Sequence, residues 1–106
     1  MLNSKILYLN NSHVLQLLGL KNGLDNAFSS SAVVTATLKD SKGNNVPGQT
    51  WPLTLNYVAD SDGSYNAVLN AGLGLVKNKQ YHLKITAVDN GLTATWDDYI
   101  KAEVRQ

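Results

Sequence analysis

A chain of 106 residues is long enough for one self-sufficient core. With 43% hydrophobic and 16% charged residues and a formal net charge of +1, it has no long-range field favouring nucleic acid or an anionic membrane. It contains no cysteine, which excludes disulfides, thiolate nucleophiles and zinc–thiolate sites.

The chain opens "MLNSKILYLNNSHVLQLLGL", in which Asn, Ser, His and Gln interrupt the apolar residues. A secretory leader needs a basic start, an unbroken apolar stretch and a small-residue cleavage site. None is present, and no run approaches the roughly 18 residues of a membrane span. The expectation is a protein made and kept in a cytoplasm; a fragment of a longer exported protein is the alternative. "KILYL" and "HVLQLLG" are apolar but poorly phased and read as strands. "GLKNGLDNAFSSS" reads as a loop with Leu24 and Phe28 tucked beneath it.

From residue 31 onward the pattern has period 2. In "SAVVTATLKD", Ala32, Val34, Ala36 and Leu38 alternate with Val33, Thr35, Thr37 and Lys39. In "TWPLTLNYVA", Trp51, Leu53, Leu55 and Tyr57 make a dry face. Pro52 cannot donate to a ladder and belongs at a strand start or on an edge. "SYNAVL" puts Tyr65, Ala67 and Leu69 on one side, and "QYHLKITAVD" does the same with Tyr81, Leu83, Ile85 and Ala87. The last segment carries Ala94, Trp96, Ile100, Ala102 and Val104 at one parity. Asp98 interrupts it, which predicts a bulge or an exposed edge near Asp97–Asp98.

Turn chemistry separates these segments. "DSKGNN" and "DSDGS" combine Asp acceptors with Gly for positive φ, Gly63 in the second case. Asn90–Gly91 is the pair favoured in two-residue hairpins. The sum is about seven antiparallel strands in one domain spanning residues 1–106, with no internal repeat and no sustained helical stripe.

Few residues suggest chemistry. Asp60-Ser61-Asp62-Gly63 resembles half of a calcium loop, but no acidic residue follows before Asp89, so a hairpin bend accounts for it better. Asp97 and Asp98 are strand neighbours facing opposite ways, which rules out an acid/base couple. His13 and His82 are the two imidazoles; His82 falls on a wet face, and no serine has an activating context. No catalytic, cofactor or metal residue is assigned. Trp51, Trp96 and the tyrosines could form a sugar platform, but their apolar parity favours the core. Near the C-terminus, Asp98, Tyr99 and Lys101 are the surface the last strand would offer to a neighbour.

"LVKNKQYHLKITAVDNG" resembles the penultimate strand of fibronectin type III and immunoglobulin-like sandwiches. That resemblance implies a tyrosine corner: Tyr81 packs on Leu75 and its hydroxyl bonds the backbone a few residues upstream. The chain departs from the fibronectin pattern in having no Trp in its second strand. "TATLKDSKGNNVPGQTWPLTLNYVADSDGSYNAVL" is similar to small stand-alone immunoglobulin-like proteins of tailed bacteriophages and prophages, through Asp40, Gly43, Val46, Gly48, Asp62, Gly63 and Tyr65. This second resemblance implies a non-catalytic virion or virion-assembly protein. It would bind other virion proteins or copies of itself, first in the host cytoplasm and then in the particle. The rival expectation is a carbohydrate- or cell-surface-binding module.

Overall fold

Alternation becomes seven strands in the computed structural model, which describes residues 6–21, 29–89 and 91–104. They are β1 (Ile6–Tyr8), β2 (His13–Leu17), β3 (Val33–Asp40), β4 (Leu53–Tyr57), β5 (Tyr65–Leu69), β6 (Gln80–Asp89) and β7 (Leu92–Glu103). No helix occurs among the described residues. Pro52 sits just before β4, where its missing N–H costs no ladder bond. The placement expected for Leu24 and Phe28 lies outside the described residues.

All strands join one sheet in the order β1-β7-β6-β3-β4-β5-β2. The expectation of antiparallel pairing fails at one place: β1 runs parallel to β7, with Ile6 opposite Lys101 and Tyr8 opposite Glu103. Although β1 and β2 lie at opposite ends of the order, only residues 9–12 join them. The sheet therefore curls until its ends approach, nearly a barrel. β4 carries the bend, since Leu53 and Leu55 pair with β3 while Asn56 and Tyr57 pair with β5.

The concave side of the curl holds the core. Val34, Ala36 and Leu38 from β3 meet Leu83, Ile85 and Ala87 from β6, with Leu7, Leu15, Leu55, Leu69 and Ile100 from the other strands. Each set recurs at two-residue spacing, as the pleat requires. Trp51, Leu53, Tyr57 and Trp96 pack against this core but stay partly exposed.

Near Asp97–Asp98 there is no bulge. The β6–β7 register runs unbroken from Asp89 opposite Leu92 to Gln80 opposite Lys101. Asp98 keeps the inward parity and is buried at 7% exposure. The other half of that expectation, an edge, is met: β1 covers only Lys101 to Glu103, and no described strand pairs with that side of β7 beside Asp97–Asp98.

Two tyrosines hold the places where the chain crosses between the halves of the curl. After β5 it returns through residues 70–79, and Val76 N–H donates to the Tyr81 hydroxyl at 2.7 Å. Tyr81 is buried, and Leu75 packs partly buried against the same core. After β2 the chain enters β3 through residues 29–32. There the Tyr65 hydroxyl donates to the Ser29 carbonyl at 3.0 Å and accepts from Ala32 N–H at 3.1 Å. Tyr65 is 1% exposed, so its ring fills the core while its oxygen fixes the second crossing.

The Asp60-Ser61-Asp62-Gly63 turn closes the β4–β5 hairpin. Val58 C=O accepts from Ser61 N–H and Ser61 Oγ, at 3.2 and 2.6 Å, and Tyr57 Oη donates to Ser61 C=O at 2.7 Å. Gly63 has φ 71° and is buried against the Leu20 backbone, whose N–H donates to the Gly63 carbonyl at 2.9 Å. A Cβ at Gly63 would collide with Leu20, so the turn needs glycine for its conformation and for the close approach. Gly91, at φ 78° in the two-residue β6–β7 turn, has only the conformational requirement.

Tyr81→Phe removes one acceptor and should lower the unfolding free energy by roughly 0.5–1.5 kcal/mol. Tyr65→Phe leaves the buried Ser29 C=O and the half-buried Ala32 N–H unpaired and should cost more, about 1–3 kcal/mol. Tyr99→Phe, on an exposed ring, is the control and should unfold at the parent's denaturant concentration. Gly63→Ala should cost roughly 1–3 kcal/mol from backbone strain alone, with the Leu20 collision added. Denaturant titration of the four variants checks the order.

Candidate functional site

Strand register assembles the outward face of β3, β6 and β7 into rows. Lys39, His82 and Tyr99 lie opposite one another in the first row, and Thr37, Lys84 and Asp97 in the second. Thr35, Thr86 and Thr95 form the third, extended onto β4 by Thr54. Alternation sends all of these side chains away from the core, and β-branched threonine suits a pleated, half-exposed surface.

Three of them form an ordered cluster. His82 Nε2 and Asp97 Oδ1 are 2.8 Å apart. The His82 ring stacks on Tyr99, with centroids 5.0 Å apart and planes 18° from parallel. Tyr99 remains 62% exposed, so the cluster presents an aromatic ring already held by its neighbours. Lys101 Nζ lies 3.7 Å from Glu103 Oε1 on the same side of β7.

Beside the cluster, an open groove of about 500 Å³ runs between β3, β6 and the 45–52 segment. Trp51 and Pro52 wall it on one side, and Thr37, Lys39, His82, Lys84 and Thr86 line the sheet side. Trp51 is fixed there by its indole N–H, which donates to the Val46 carbonyl at 2.6 Å. The 45–52 segment is fixed in turn by the turn after β3. Asp40 Oδ1 accepts from Lys42 N–H and Asn44 N–H at 2.9 and 3.0 Å, and Val46 N–H donates to Leu38 C=O at 3.0 Å.

Of the residues read from sequence as a contact surface, Tyr99 and Lys101 face outward together. Asp98 does not join them; its carboxylate lies on the core side, because β7 continues through that position without a bulge. His82 and Asp97 belong to the cluster and were not singled out as part of it. Pairing of Asp89 with Leu92 sets the register of the whole hairpin, so His82 opposite Tyr99 could have been read from the Asn-Gly pair in the sequence.

Among the described residues no group of three or more His, Asp or Glu is arranged to hold a metal ion. In the 60–63 turn the Val58 and Ser61 carbonyls already accept hydrogen bonds within the hairpin. The chain matches no protein-family profile, no curated protein and no solved structure.

The melting temperature should not change when millimolar calcium is added, since an ion binding the native state alone would raise it by mass action. A calcium-dependent rise abolished by Asp62→Ala would identify the turn as a metal loop.

Proposed function

We propose that this protein is a non-catalytic immunoglobulin-like sandwich, close to the fibronectin type III variant, that binds other proteins in a bacteriophage or prophage particle. The grouping of strands supports the fold. With the seven strands lettered in chain order, β3, β6 and β7 correspond to the C, F and G sheet and β2 and β5 to the B and E strands of the facing sheet. The Tyr81 hydroxyl at the start of the sixth strand, bonded five residues upstream, fits the tyrosine corner. The particle setting is carried by the resemblance of residues 35–69 to small phage proteins.

The observation that favours binding is the Tyr99–His82–Asp97 cluster. An exposed tyrosine is a strong interface anchor because it offers large area with few rotors to freeze. Here stacking on His82 has restricted the ring before any partner arrives, and the His82–Asp97 contact restrains the imidazole. A rigid sheet carries the cluster, so docking needs no backbone rearrangement.

Tyr99→Ala combined with Lys101→Glu alters only outward positions and should leave the fold unchanged by circular dichroism and melting. The same variant should show reduced incorporation into particles, or reduced self-association in sedimentation if the partner is a second copy. Normal incorporation of the folded variant would refute docking through this face.

A further inference from the structure

The groove beside Trp51 has a chemistry distinct from the tyrosine cluster, and we infer that it is a binding site for an acidic saccharide. The inference does not rest on the protein-docking proposal. It stands on three properties of the groove.

The first is size and place. At about 500 Å³ the groove falls in the range of roughly 300–1,000 Å³ typical of small-ligand sites. It is open to solvent rather than enclosed.

The second is the pairing of an aromatic wall with hydroxyls. Trp51 is half-buried, packed on the core at one side and lining the groove at another. Its N–H is committed to Val46, so what remains for a ligand is the apolar ring surface. Pyranose rings present C–H groups on one face, which suits such a surface, and hydroxyls around the rim. Thr37 and Thr86 supply groups that both donate and accept, matching those hydroxyls.

The third is charge. Lys39 and Lys84 line the groove on adjacent strands, and no acidic residue lines it. Neither lysine has an ion-pair partner among the described residues. The nearest strand-paired carboxylate, Asp97, has one oxygen in contact with His82. Two ammonium groups beside an aromatic wall fit a sugar that carries a carboxylate. A nucleic acid would call for a longer basic track than two lysines provide.

Calorimetric titration with an oligogalacturonide tests this, since each of its rings carries a carboxylate. The folded parent should bind it in the millimolar range or tighter. The methyl-esterified oligomer, with the same rings but no charge, should bind at least about tenfold more weakly. Polyglutamate, with the charge but no rings, should also bind at least about tenfold more weakly. Lys39→Ala with Lys84→Ala should lose at least about tenfold, whereas Lys77→Glu, outside the groove, should match the parent. Amide shifts in an NMR titration should centre on Thr37, Lys84 and Thr86. The proposal is overturned if the acid form fails to bind at millimolar concentration, or if its ester binds equally. Equal binding of polyglutamate would assign the groove to acidic peptides instead, and an unaffected double-lysine variant would move the site elsewhere.

Discussion

When a curled sheet closes around a core, the chain must leave one half and re-enter the other, and each crossing takes backbone N–H and C=O groups out of a ladder. Such groups need partners once they are buried. In this protein the partners at two crossings are tyrosine hydroxyls. Tyr65 engages Ser29 and Ala32 ahead of β3, and Tyr81 engages Val76 ahead of β6. A phenol suits this task because its ring fills core volume and its oxygen reaches the rim. Without those bonds the strands could still pair, but the buried Ser29 carbonyl would lack its phenol partner.

Much of the remaining structure follows from holding the halves together. β4 can divide its pairing between β3 and β5 because the bend is set on both sides. Gly63 lets the β4–β5 turn fold onto Leu20, whose carbonyl in turn accepts from Ser29 N–H at 2.8 Å. Ser29 thereby connects the turn, the Tyr65 hydroxyl and, through its own hydroxyl, Asp89 at 2.6 Å. A contact network of this kind makes the 60–63 turn a packed structural element rather than a free loop.

The outer face of β3, β6 and β7 inherits this rigidity. Its polar rows are by-products of alternation, yet their register places His82 against Tyr99 and two lysines beside Trp51. One face thus offers two adjoining surfaces of different character, an aromatic ring held upright and a basic groove with an indole wall. Groups mounted on strands lose less freedom on binding than groups on loops, which favours recognition by shape and charge over induced fit.

Sequence alone was enough for the strands, most of their facing and the turns. Period 2 in residues 32–39 and 81–88 predicts which side chains are buried, because the pleat leaves no other choice. The Asn-Gly pair likewise determines a tight β6–β7 turn, and the resemblance of residues 75–91 to fibronectin type III and immunoglobulin-like strands implied the Tyr81 hydroxyl bond seen at the second crossing. Tertiary structure decided what depends on non-local partners. Asp98 looked like an interruption because a carboxylate is costly to bury, but pairing along all of β6 keeps β7 regular and carries it inward. The crossing role of Tyr65 carried no recognisable signal, since the partners of its hydroxyl lie more than thirty residues away in a segment with no strong pattern of its own. The parallel β1–β7 pair and the groove beside Trp51 were also out of reach, because each joins segments far apart in the chain, and local periodicity does not say which strands become neighbours.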